Sequence, residues 1–177
     1  EHSSTEYYKR LRDLLGGTYI VDIDQYLVDD ERFGTSLQND LRNPNRRVAS
    51  GEKFGYDYRL TEGRYGARLG LRYHDNRFSL DFGARVAAAV AWRTGLYEKQ
   101  LFAGAGSLGR SERVAGVEAT AKLAFRYSLS ARHKLSAAVA VDRSQQAIDQ
   151  LLLQPAYNNA LASVDPSRSI FDSEVTY

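Results

Sequence analysis

From Val114 to Leu129 every second residue is apolar. Ala115, Val117, Ala119, Ala121, Leu123, Phe125, Tyr127 and Leu129 hold one parity, while Glu118, Thr120, Lys122, Arg126 and Ser128 hold the other. A period of two puts alternate side chains on opposite faces of an extended chain, so this run predicts a strand with one oily and one wet face. It is also longer than the five or six residues of an ordinary globular strand.

The same pattern recurs. In Arg77 to Tyr97 the oily positions are Phe78, Leu80, Phe82, Ala84, Val86, Ala88, Val90 and Trp92, against Ser79, Asp81, Arg85 and Arg93. Tyr65, Ala67, Leu69, Leu71 and Tyr73 alternate with Arg64, Gly66, Arg68, Gly70 and Arg72. Upstream, Tyr56, Tyr58 and Leu60 have the opposite parity, which predicts a bulge near Glu62-Gly63. Leu135, Ala137, Val139 and Val141 mark a fourth strand, and Phe171, Val175 and Tyr177 begin a fifth.

The links between these strands alternate in length. His74-Asp75-Asn76 and Ala131-Arg132-His133 are tight, whereas about 99–113 and 148–169 are long. Alternating short and long links suit an outer-membrane barrel with short periplasmic turns and long extracellular loops. Aromatic residues sit toward the ends of the oily faces: Tyr73, Phe78, Phe125 and Tyr127 near the tight links, Trp92 and Tyr65 toward the long ones. Small residues, Ala84, Ala88, Ala119 and Ala121, lie between them, as in an apolar band with two interfacial girdles. The expected fold is therefore all-β, part of a large antiparallel transmembrane barrel. Its lipid-facing residues would be Leu69, Leu71, Phe78, Leu80, Phe82, Val86, Val90, Trp92, Val117, Leu123, Phe125, Leu135, Val139 and Val141. Its lumen-facing residues would be Arg64, Arg68, Arg72, Arg85, Glu118, Lys122 and Arg126. About five strands cannot close a membrane barrel, so a larger one is expected around them. A soluble sandwich or lipocalin-like barrel also alternates and stays open as a second reading.

Residues 1–52 are expected to be an extracellular loop region, with 53–177 carrying the strands. Ser3 and Glu6 read as a capping box, Tyr7, Leu11, Leu14 and Leu15 share a helical face, and Gly16-Gly17 ends the run, which predicts a short helix. Thr18 to Tyr26 alternates enough for a short strand, and Asn39-Asp40 and Asn43-Pro44-Asn45 read as turns. The chain begins Glu1-His2-Ser3-Ser4, without Met or a leader's basic and apolar regions, and is read as processed or excised from something longer.

Composition narrows the functions. The net charge of +2 is spread along the chain, unlike a nucleic-acid binder's concentrated patch. With no cysteine there are no disulfides, thiol nucleophiles or cysteine-ligated metals. His2, His74 and His133 are far apart and lack the H-E-x-x-H spacing, and no G-x-S-x-G elbow is present. Gly104-Ala105-Gly106-Ser107-Leu108-Gly109 matches the dinucleotide fingerprint by letter. That fingerprint works only between a parallel strand and a helix, so a flexible loop is expected. Asp22, Asp24, Asp29, Asp30 and Glu31 could offer oxygens to calcium, though a solvated acidic loop is the simpler reading. The chain is expected to be no enzyme and to carry no cofactor.

Several strings, in order along the chain, resemble a known family. They are Tyr7-Tyr8, Leu14-Leu15-Gly16-Gly17, Val21-Asp22-Ile23-Asp24-Gln25, Gln38-Asn39-Asp40-Leu41 and Asn43-Pro44-Asn45-Arg46. Gly51-Glu52-Lys53-Phe54-Gly55-Tyr56-Asp57-Tyr58, Arg132-His133, Gln154-Pro155-Ala156-Tyr157-Asn158-Asn159 and Ser173-Glu174-Val175 continue the series. The sequence resembles the TonB-dependent receptors, particularly the large transporters of Bacteroidetes. The resemblance implies active import of a siderophore, glycan, peptide or similar nutrient across the outer membrane, through a 22-stranded barrel with an N-terminal plug. It further implies the TonB complex as a partner through a plug outside this chain, and a surface lipoprotein in some cases. Tyr7, Tyr8, Tyr26 and Tyr157 are candidate ligand-contacting loop residues, because aromatics contribute large contact area. A passive porin or adhesin-like barrel is the alternative within the membrane class.

Overall fold

A computed structural model describes the backbone of residues 1–32, 34–162 and 167–176, with side chains for these apart from 28–30, 35 and 167–176. The chain is mostly antiparallel β, 58% strand against 6% helix, and the main sheet curls into about half a barrel.

The main sheet is built from β1 (His2–Arg10), β6 (Lys53–His74), β7 (Phe78–Gly95), β9 (Val114–Ser128), β10 (Lys134–Gln145) and β11 (Ser167–Thr176), side by side in that order. The short β8 (Gly109–Arg110) adds to the loop end of β7. Outside this sheet, β2 (Ile20–Val21) pairs with β5 (Arg47–Val48), and β3 (Gln25–Asp30) with β4 (Gly34–Gln38). A short helix, α1 (Ile148–Leu151), follows β10.

The tight links are as the sequence suggests. Asp75 N–H donates to Phe78 C=O at 2.8 Å, and Ser130 Oγ accepts from the amides of Arg132 and His133 at 3.2 and 3.1 Å. The G-x-G-x-x-G string forms a 3-10 turn that leads into β8, not into a helix, with Gly104 and Gly109 at φ 61° and 74°.

Three local expectations are corrected. The run expected as a helix, Ser3 to Gly17, is extended over His2–Arg10 and pairs with β6, Tyr7 opposite Tyr58. Glu6 does not close a capping box but meets Lys53 Nζ at 2.5 Å, and Ser4 and Thr61 hydroxyls are 3.3 Å apart across the ladder. Pairing with β6 gives β1 a ladder of backbone hydrogen bonds along one edge, which a short isolated helix exposed to water would not outweigh. Residues 2–10 therefore belong to the sheet and not to the loop region.

The bulge expected at Glu62-Gly63 is absent, since β6 and β7 stay in unbroken register from Tyr58↔Gly95 to His74↔Ser79. Parity changes for another reason. Tyr58 and Leu60 lie on the wet face, where Ala91, Ile148 and Leu152 bury them in a small core. The register shift falls instead between β1 and β6, at Tyr8/Lys9. Third, the Thr18 to Tyr26 run does not form a single strand but contributes β2 and the start of β3. The fifth strand is present as the backbone of β11, in register with β10 from Gln145↔Ser167 to Ser136↔Thr176. The side chains of Phe171 and Val175, and all of Tyr177, lie outside the described residues.

Two faces and a fused loop cap as the candidate functional site

Register aligns the oily residues into rows. Leu71, Phe82, Leu123 and Val139 are successive partners across β6, β7, β9 and β10, and Leu69, Ala84, Ala121 and Val141 form the next row. All of the residues expected to face lipid share this side and none is buried: Leu71 is 60% exposed, Val86 56% and Val117 56%. At the tight-turn end Tyr73, Phe78 and Phe125 form a tilted aromatic chain with ring centroids 5.8 and 5.3 Å apart. From Phe78 to Trp92, at about 3.3 Å per residue, the oily run of β7 extends about 46 Å along the strand.

The charged residues take the opposite, concave side. Arg64 Nε reaches over β7 to Glu118 Oε1 at 3.1 Å, and Arg72 Nε meets Asp81 Oδ1 at 2.6 Å. Gly70, Gly83, Ala124, Ala138 and Ala140 floor a 650 Å³ cavity on this side, beside Lys122. Arg68 stands directly opposite Arg85. Like charges in a cross-strand pair are destabilising, so Arg85→Glu is expected to raise stability by about 0.5 kcal/mol, read as a higher unfolding midpoint. An unchanged or lower midpoint would place the two guanidiniums apart in solution.

At the loop end the concave face is covered. After β10 the chain folds inward, so Ile148 and Leu151 are buried against the sheet, and Gly116 leaves space for the Gln145 side chain. Arg93, 1% exposed, sits at the centre. Its guanidinium donates to Pro155 C=O at 2.6 Å, to Ser107 C=O at 3.0 Å and to Asn159 Oδ1, and it lies over the Tyr58 ring. One side chain thereby joins loops 96–113 and 146–162. Asn159 reinforces the join, Nδ2 donating to Ala105 C=O at 2.8 Å and its amide to Gly106 C=O at 2.8 Å.

The third loop, 11–52, attaches through buried charge. Asp24 accepts from Arg46 at 2.5 Å and from the Gly55 amide at 2.5 Å, and Arg46 also donates to Lys53 C=O at 2.9 Å and Tyr97 Oη at 3.2 Å. Lys99, buried nearby, donates to Asn39 Oδ1 at 3.1 Å and to Gly55 C=O, with the Tyr97 and Tyr157 rings each 5.6 Å from its Nζ. Gln38 N–H donates to Gln100 Oε1 at 2.8 Å, and Leu41 N–H to Glu98 C=O at 2.9 Å. The three loops form one cap.

Burial holds the Lys99 ammonium below the ordinary lysine value of 10.5, at about 8, with Asp24 opposing the shift. An unfolded lysine keeps its proton to about 10.5, so between these values the folded protein binds fewer protons than the unfolded chain. Cap stability is therefore expected to rise with pH between about 8 and 10, by roughly 1–3 kcal/mol. Burial also holds the Tyr26 and Tyr97 phenols above their usual range, so the trend reverses above pH 10. Protease resistance of the loops against pH checks this, and Lys99→Met is expected to flatten the rising limb.

Of the candidate tyrosines, Tyr26 and Tyr157 lie in the cap loops, and burial, with a smaller contribution from Tyr157, holds the Tyr26 phenol above its usual range. Tyr157 is 44% exposed, with Lys99 at its ring. Tyr7 and Tyr8 are placed elsewhere, on β1: Tyr7 stacks on Tyr58 at 5.2 Å, and Tyr8 lies under Lys53 at 4.4 Å and Arg10 at 5.0 Å. Sequence reasoning missed Arg93, Lys99, Arg46 and Asp24 as the cap's anchors. A buried cation within a polar loop has no periodic signal, and Arg93 has only its wet-face parity.

In the acidic loop, Asp22 Oδ1 accepts from Gln38 Nε2 at 2.7 Å, and Asp24 is held by Arg46 and Gly55. Among the described residues no three His, Cys, Asp or Glu converge as a metal site, and the side chains of Asp29 and Asp30 lie outside them. Among the described residues no helix is long and apolar enough to cross a membrane, which says nothing of strands. Comparison with protein families, with characterised proteins and with solved structures finds no match to this chain.

Proposed function

We propose that this chain is a segment of an outer-membrane β-barrel transporter of the TonB-dependent type. It would carry lipid on its oily face and take up a small-molecule, glycan or peptide ligand through its loop cap. The observation that carries the reading is which face is oily. A soluble ligand-binding barrel puts its apolar residues on the concave side, around the ligand, and its charges outside. Here Leu71, Val86 and Val117 are on the open outer side, and Arg68, Arg72, Arg85 and Lys122 line the hollow. Water would solvate that outer face poorly and a bilayer would solvate it well.

An open sheet in lipid needs partners for both edge strands, so β1 and β11 would pair with further strands of a larger barrel. The inward fold of 146–152 and the cap joined by Arg93 support a gated receptor over an open porin or an adhesin. Tyr157 and Tyr26 would contact ligand at the cap, and the charged hollow would line the lumen against a plug. Energy would come from the inner-membrane proton gradient by way of the TonB complex, and a surface lipoprotein could join the cap. No chemistry on the ligand is involved.

Fractionation of cells expressing the full gene tests the class. The product should appear in the outer membrane, need detergent for extraction and run faster on gels before heating than after. Ligand uptake that stops with an uncoupler supports the active transporter, and uptake indifferent to it supports the porin. A product soluble without detergent would overturn both.

A further inference from the structure

We infer that Arg110 and Arg113, with Trp92, form a binding site for the phosphate headgroup of an anionic lipid in the leaflet on the loop side. The inference rests on the membrane reading. Trp92 ends the oily run of β7 and pairs with Thr61 of β6, on the side of Val86 and Val90. The Arg110 guanidinium lies 5.0 Å from the Trp92 ring centroid and that of Arg113 lies 5.5 Å from it. Arg110 is fixed by β8, opposite Thr94, and Arg113 directly precedes the Val114↔Ala91 pair that starts the β7–β9 ladder. Arg110 is thus placed by strand register and Arg113 by its position directly before the β9 ladder, both at the polar edge of the apolar band.

Neither is neutralised. Both arginines are exposed, and among the described residues neither has a carboxylate partner. Their neighbour on the outer face, Arg59, differs, having Glu6 at 3.9 Å. Stacking on an indole orients a guanidinium but leaves its five N–H donors unused. Two such forks at one indole suit a phosphate, which accepts paired hydrogen bonds from arginine. Trp92 would sit at headgroup depth, as indoles do at bilayer interfaces, with the acyl chains continuing down the face formed by Val90, Val86 and Val117. That continuity favours a lipid phosphate over a free one, because a soluble anion would gain only the polar half of the site.

Detergent-solubilised full-length protein tests this by native mass spectrometry. It is titrated with phosphatidylglycerol, with phosphatidylcholine and with inorganic phosphate, for the wild type and for Arg110→Gln/Arg113→Gln, whose fold is checked by heat-shifted gel mobility. The wild type should hold phosphatidylglycerol about tenfold more tightly than phosphatidylcholine, and the double variant should hold both equally. Inorganic phosphate at millimolar concentration should not displace the lipid. Undiminished preference in the folded double variant would overturn the site. Displacement by phosphate alone would replace the lipid with a free anion. A wild type that retains neither lipid and stays soluble without detergent would overturn the membrane reading together with the site.

Discussion

Val86→Arg should prevent the protein from assembling in the outer membrane, with loss of the heat-shifted folded band. Val86 is near the middle of the oily run from Phe78 to Trp92, and its row neighbours are Ala67 and Ala119. On the lipid face a midplane arginine costs about 2–4 kcal/mol and has no short path to either headgroup layer. The matched control is Ala124→Arg, on the small-residue floor of the charged hollow, which on the proposed reading is a wet lumen that would accommodate the new charge. The pair gives the test its direction, because the two substitutions add the same side chain to opposite faces. In a soluble protein Val86→Arg would be nearly neutral, since Val86 is already more than half exposed. Full membrane assembly of Val86→Arg would contradict the assignment of that face to lipid.

Arg93→Ala is expected to release the cap. It removes the donors to Pro155 and Ser107 carbonyls and to Asn159, groups that are covered once the loops fold inward. Leaving buried acceptors without donors costs about 1–3 kcal/mol each, so a loss of about 3 kcal/mol or more is expected. Opening of loops 96–113 and 146–162 should then increase on the order of a hundredfold, read as faster proteolysis there while the strands remain protected. Arg93→Lys should rescue only in part, because an ammonium cannot present the planar fork that meets several acceptors at once. Unchanged loop proteolysis in Arg93→Ala would mean that the core of Tyr58, Leu60, Ile148 and Leu152 holds the cap without it.

The faces of the sheet were legible in the sequence because alternation is local. Leu69, Phe82 and Leu123 fall on one side by parity, and Arg68, Arg85 and Lys122 on the other, whatever the strands pair with. β1 was not legible. His2–Arg10 carries both a helix-capping signature and extended-chain residues, and the partner that decides between them, β6, is about fifty residues away. The parity switch at Tyr58 and Leu60 misled for a related reason. An apolar residue on the wet face looks like a slipped register until the segment covering it, Ile148 to Leu152, is known. The cap's polar anchors were hidden altogether, because Asp24, Arg46 and Lys99 meet only after three loops have folded together, and nothing in their spacing encodes that meeting. Arg110 and Arg113 were visible as charges in a loop, but not as partners of Trp92.

The most direct test of the central claim is a cysteine scan of β7 from Leu80 to Trp92 in the full-length protein in intact outer membranes. This segment contributes no competing thiol, since the chain has no cysteine. Even positions should react with a lipid-dissolved thiol probe and resist an aqueous one. Odd positions from Asp81 to Arg85 should show the reverse, and the covered Ala87, Ala89 and Ala91 should react slowly with both. Rapid aqueous labelling at Phe82, Ala84 and Val86 would mean that water, not lipid, covers the outer face, and the transporter reading would fall with it.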